Sequence, residues 1–144
     1  MKSEILGPAA VLVIWTLIVL IWTTVMRFGS LARLDKDKLG TVSGRGIRGQ
    51  DLEKILPNSA NWPSHNYTHL LEQPTIFYAV VFILALSDNG DGMNLYVAWA
   101  YVGIRIIHSF WQSLVNKIPV RIGLFTVSTL CLLFLAVKAL MAAF

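Results

Sequence analysis

Charge is scarce in this 144-residue chain: Asp, Glu, Lys and Arg make up 14% of it, against about 25% in ordinary soluble domains. Cysteine is nearly absent. The single Cys131 rules out an intramolecular disulfide and, inside the apolar run 130–135, reads as a small buried hydrophobe. No spacing of His, Cys or acidic residues suits a metal, so none is expected. The patterns G-x-S-x-G, H-E-x-x-H and G-x-x-x-x-G-K-[ST] are missing too, which leaves nucleophilic hydrolysis, zinc peptidase chemistry and phosphate-loop chemistry without support. What abounds is apolar: 56% of the residues are hydrophobic and the mean hydropathy is +0.63. A bilayer is the solvent such a composition fits.

The hydrocarbon core takes roughly 20 apolar residues of helix, and residues 5–26 run uncharged for about that length. That run is too long for a cleaved secretory signal, and no A-x-A-like site closes it. Four such segments, at about 5–31, 66–86, 93–115 and 120–143, predict an all-α, integral membrane four-helix bundle that occupies 1–144 as a single domain. Between the first two lies a polar loop, about 33–63, with Gly40, Gly44, Gly46 and Gly49 and room for a short helix near 50–56. The second connection, Ser-Asp-Asn-Gly-Asp-Gly at 87–92, reads as a turn and does not match a calcium loop. The third, 116–119, is a tight turn whose Pro119 suits the first position of the last helix.

The net charge of +4 would allow a nucleic-acid partner, but the basic residues lie in loops and at helix ends, where topology explains them better. Arg33, Lys36, Lys38, Arg45, Arg48 and Lys54 fall in the first connection and Lys117 in the third, while the second holds only Asp88 and Asp91. Connections one and three are therefore expected in the cytoplasm, with both termini on the opposite side. The sequon at Asn66 then lies on the wrong face for glycosylation.

Ionisable residues inside such helices are functional candidates. The second segment carries His69 and Glu72, the third Arg105 and His108, and the fourth begins with Arg121. At about 1.5 Å per residue, Glu72 lies roughly 9 Å in from the cytoplasmic end, and Arg105 and His108 roughly 16 and 12 Å in. Glu72 and Arg105 are expected to form an ion pair. Tyr101, Arg105, His108 and Gln112 fall at i, i+4, i+7 and i+11, one stripe of a helix. With Arg121 past the turn, the stripe predicts a cationic pocket for an anionic, polar ligand, open to water at its mouth and to lipid along its wall. Arg33 either closes that pocket or anchors its helix among headgroups. His65 and Trp62, at the expected start of the second helix, either touch the ligand or sit in solvent. The same polar groups also suit a structural clasp between helices or a transporter's relay.

The run His65-Asn66-Tyr67-Thr68-His69-Leu70-Leu71-Glu72-Gln73-Pro74, with Arg105-x-x-His108-Ser109 and Asn116-Lys117-x-Pro119-Val120-Arg121, resembles the membrane-associated proteins of eicosanoid and glutathione metabolism over about residues 5–140. The resemblance implies a homotrimer of four-helix subunits, with glutathione as cosubstrate between neighbours, membrane lipids around it and a lipophilic small molecule as second substrate. It implies that Arg121 stabilises the glutathione thiolate, that Glu72 and Arg105 hold the peptide, and that His108 and Arg33 contact it as well. His65 and His69 stand where the family usually has arginine and asparagine, and Gln112 and Phe125 where several members carry tyrosine; the first three are kept among the expected ligand contacts. The Glu-x-Pro spacing is closer to a bacterial branch, which implies an inner membrane. The function so implied is a glutathione-dependent transferase or peroxidase, with a non-catalytic lipid- or ligand-binding protein as the alternative.

Overall fold

A computed structural model describes residues 3–40 and 46–144, so Gly44 and Arg45 of the first connection lie outside the described residues. Among the described residues the protein is all-helical: α1 (Leu6–Leu31), a short α2 (Lys36–Gly40), a 3-10 turn (Asp51–Lys54), α3 (Asn58–Leu86), α4 (Gly92–Leu114) and α5 (Ile118–Ala143). The 3-10 turn falls inside the predicted helical stretch of the loop; α2 was not foreseen. Three helices, α1, α3 and α5, are long and apolar enough to cross a membrane.

The largest departure from the sequence expectation is the start of α3, eight residues before position 66. Pro63 had marked the end of the loop, yet it is buried within the helix, and the break falls at Pro57, whose backbone is extended (φ −70°, ψ 159°). The early turns are tied down by Asn61, whose Nδ2 donates to the carbonyls of Glu53 (2.9 Å) and Leu56 (3.1 Å). Those bonds satisfy loop acceptors that would otherwise be stranded against the helix. His65 and Trp62 consequently lie within a helix rather than at its solvated start.

Register follows from aromatic contacts. Trp15 lies against Phe110 with ring centroids 5.0 Å apart, and a Cβ on Gly7 would sit 3.6 Å from Trp99, so α1 and α4 run parallel. Phe77 stacks on Tyr101 at 4.4 Å, and Arg105 reaches back to His69, so α3 runs antiparallel to α4. The connections 32–57 and 115–117 therefore share one end of the molecule, here termed the loop end. At the other end Gly90 passes so close beneath Ser3 and Ile5 that a Cβ there would collide with both.

Helix α4 is inside-out compared with a helix in water. Its buried positions include Arg105, His108, Ser109, Gln112 and Ser113, while Met93, Tyr96, Ile107, Phe110 and Leu114 face outward. A helix whose polar stripe points inward and whose apolar stripe points out is matched to an apolar surround. That arrangement also explains its absence from the most apolar set, since its mean composition is diluted by the stripe it buries.

Candidate functional site

The buried stripe of α4 is built by periodicity: positions 98, 101, 102, 105, 108, 109, 112 and 113 share one side of the helix. Arg105 is only 2% exposed. Its Nη2 donates to the backbone carbonyl of His69 at 2.9 Å, but its Nε and Nη1 are buried without a hydrogen-bond partner among the described residues. Both ring nitrogens of His108 and both amide atoms of Gln112 are likewise buried and unpartnered. Leaving such groups unsatisfied in an apolar medium costs several kcal/mol each. A stripe this polar has hydrogen-bonding capacity left over for a ligand, water or a neighbouring subunit.

Facing it, α3 contributes His69, whose ring centroid lies 6.3 Å from that of His108. From α5, Phe125 presents its ring edge-on to His108 at 6.4 Å. His69, His108, Arg121, Ile122 and Phe125 line a cleft of about 150 Å³. Arg121 is held by the turn that precedes it, because Asn116, in the left-handed conformation (φ 53°), accepts a 2.9 Å hydrogen bond from Arg121 Nη1 through Oδ1. Asparagine tolerates that backbone better than most residues. Deeper in, Tyr101 donates to Gln73 Oε1 (3.3 Å) and Gln73 Nε2 donates to Thr129 (2.8 Å), which ties α4, α3 and α5 together.

A second, larger space of about 950 Å³ opens at the loop end, lined by residues that include Arg27, Arg48, Glu53, His65, His69 and Glu72. His69 lines both spaces, so the polar vestibule adjoins the cationic cleft. Glu53 straps the loop across its side: its carboxylate lies 3.1 Å from His65 Nε2 and 3.9 Å from Arg27 Nη2. Arg27 Nη2 also donates to the carbonyl of Gly49 at 3.2 Å, and the approach is close enough that a Cβ on Gly49 would make the guanidinium shift.

The structure thus brings together Arg105, His108, Gln112, His69 and Arg121, and places His65 beside the vestibule. One expectation is corrected. Within the chain Glu72 forms no ion pair with Arg105; its side chain is 62% exposed and its carboxylate lies 3.4 Å from His69 Nδ1. The core residues Leu70, Phe77 and Leu84 fix which way α3 faces, and a residue two positions beyond Leu70 is turned about 200° away. Arg33 is exposed past the end of α1, and the arginine of α1 that lines the vestibule is Arg27. Sequence reasoning missed Arg27, Glu53 and the anchoring role of Asn116. Arg27 had a signal, as the first charge to end the apolar run of α1; Glu53 had none, because its role depends on how the loop folds back.

Comparison with curated proteins and with solved structures gave no match. The family model of MAPEG, by contrast, matches residues 5–141, the span that carries all four long helices, the polar stripe and the cleft with Arg121. An all-helical chain with membrane-spanning helices, a buried polar stripe and that match belongs to the MAPEG family, the membrane proteins of glutathione and eicosanoid metabolism.

Proposed function

We propose that this chain is the subunit of a membrane-bound, glutathione-dependent transferase or peroxidase acting on lipophilic electrophiles or lipid hydroperoxides. The observation that carries the reading is the convergence of Arg121, His69 and His108 on one cleft, with Arg105 bonded to the His69 carbonyl and buried donors and acceptors left over for a polar, anionic tripeptide. A thiol of pKa about 8.5 becomes largely thiolate near neutral pH only beside a fixed cation, and a guanidinium cannot lose its charge. In this reading Arg121, braced by Asn116, holds the thiolate. Arg105 and Gln112 bind the peptide's carboxylate and amide groups, and His69 and His108 supply further hydrogen bonds. In the transferase reaction the sulfur bonds to an electrophilic carbon, and the leaving group departs with its electron pair. In the peroxidase reaction two thiols become a disulfide while a hydroperoxide becomes an alcohol and water.

The active assembly in this reading is a homotrimer, four spanning helices per subunit, in a bacterial inner membrane, with the loop end in the cytoplasm. Two features support it. The outward faces of α1, α4 and α5 are apolar, and Glu72, exposed on a membrane helix, needs a polar neighbour, which among the described residues is His69. A neighbouring copy that brings glutathione's ammonium group to Glu72 would complete the site.

The test is conjugation of glutathione to an aryl halide, together with the glutathione-induced thermal shift of the protein in detergent. Arg121→Ala should lower turnover by about 10²-fold or more, with Arg121→Lys intermediate. Absence of both turnover and shift in the unaltered protein would remove the proposal. One observation favours the alternative, a ligand-binding protein without catalysis: His69, His108, Arg121, Ile122 and Phe125 give the cleft no hydroxyl to donate to a thiolate. Glutathione or lipid bound tightly without turnover would establish that reading instead.

A further inference from the structure

A third cavity, of about 330 Å³, lies between α1, α3 and the 3-10 turn, away from the α4 stripe. Its wall is mainly apolar, from Leu20, Phe28, Leu31 and Leu52, and its volume is at the lower end of ordinary small-molecule sites, roughly 300–1,000 Å³. Of the polar side chains in that wall, Thr23, Thr24, Arg27, Ser64 and Tyr67, two carry buried atoms without a partner among the described residues. Thr23 is 6% exposed and its hydroxyl has no hydrogen-bond partner, and the buried Nε of Arg27 has none either. Arg27, Ser64 and Tyr67 line both this recess and the polar vestibule, so the two spaces meet at a partition with a cation in it.

We infer that this recess is a second binding site, within one subunit, for a single-chain lipid amphiphile whose carboxylate lies at Arg27 and Thr23 and whose tail packs among Leu20, Phe28, Leu31 and Leu52. The unpartnered groups select the head. Arg27 Nε–H is a donor only and the threonine hydroxyl can donate, so the complementary atom is an acceptor oxygen, and the guanidinium favours a charged one. The nearest carboxylate, Glu53, stands 3.9 Å from Nη2 and leaves Nε to the ligand. The leucines and the phenylalanine select the tail. The site shares no wall residue with the Arg121 cleft, so it stands or falls independently of the proposed thiol chemistry.

The experiment photolabels the full-length protein, in detergent and in lipid nanodiscs, with a long-chain fatty acid bearing a diazirine near its methyl end. Its methyl ester and a diacyl phospholipid with the same diazirine serve as parallel probes. The expected result is saturable labelling of α1 residues 20–31 and of Leu52 by the acid, competed by unlabelled fatty acid and much weaker for the ester and the phospholipid. Arg27→Gln should weaken the acid's apparent affinity about tenfold or more and Thr23→Val about threefold, with Leu20→Trp abolishing labelling by filling the recess. Thermal stability in detergent checks that each variant is folded, and Thr23→Val, nearly isosteric, guards against a trivial loss. Labelling spread over α4 and α5, indifference to Arg27→Gln and Thr23→Val, or equal labelling by acid and ester would each overturn the assignment. So would preferential labelling by the phospholipid.

Discussion

The two ends of the helix assembly are built from the same four helices and packed by opposite rules. Away from the loop end, Ile5, Leu12, Phe77, Val81, Leu84, Ala98, Leu135 and Ala139 form a continuous apolar core. Near its border the buried Thr16 returns its hydroxyl to its own helix, donating to Leu12 at 2.8 Å. Toward the loop end the buried side chains include Asn66, Arg105, His108, Ser109, Gln112 and Ser113, and atoms on every one of these six have no partner among the described residues. Apart from Trp15 Nε1, the first end has satisfied its groups, and the second has held these six back. The first supplies rigidity through close packing; the second carries a cost in stability that is recovered only when a ligand, water or a neighbouring subunit meets those groups. Functional sites are where such local violations are expected.

Substitutions of similar size at the two ends should therefore have opposite effects. Phe77→Ala removes a fully buried ring stacked on Tyr101 and should cost about 3–5 kcal/mol, measured by reversible unfolding in mixed micelles, while leaving the glutathione-induced thermal shift intact in whatever protein stays folded. Arg105→Met replaces a buried cation with an apolar chain of similar length. It should be neutral or stabilising by about 1–4 kcal/mol in the ligand-free protein, yet abolish the glutathione shift. If Arg105→Met proves as destabilising as Phe77→Ala, the division between a stabilising end and a binding end is wrong, and Arg105 is a structural clasp.

How much of this was legible in the sequence divides along the same line. The stripe of α4 could be read because polar residues recur at helical spacing against an apolar background, and the structure buries Tyr101, Arg105, His108 and Gln112 together. The facing of α3 could not. Its core residues Leu70, Phe77 and Leu84 and its outward residues Leu71, Ile76, Phe82 and Ile83 are equally apolar, as befits a helix between protein and lipid, so the sequence held no contrast to show that Glu72 turns away from Arg105. The start of α3 was misplaced because the polar loop was read as running on to about 63, whereas here Pro57 sets the start and Asn61 ties the first turns to the loop. The vestibule was hidden for another reason: it depends on the close approach of Gly49 to Arg27, a contact between segments that no periodicity encodes.

The smallest expected effect lies at the border between the two ends. Tyr101 belongs to both: its ring stacks on Phe77 in the apolar core, and its hydroxyl reaches Gln73, which in turn bonds Thr129. Tyr101→Phe keeps the ring and removes one long hydrogen bond of 3.3 Å, so stability should fall by only about 0.6 kcal/mol, the average for such bonds between membrane helices. Gln73 keeps its bond to Thr129, and the cleft below should bind glutathione with nearly unchanged affinity. A loss of several kcal/mol, or a tenfold weaker glutathione shift, would mean that the polar network reaches further into the core than the geometry shows. The border would then lie beyond Tyr101, at Phe77 and Ala98, and the binding end would extend past the middle of the helices.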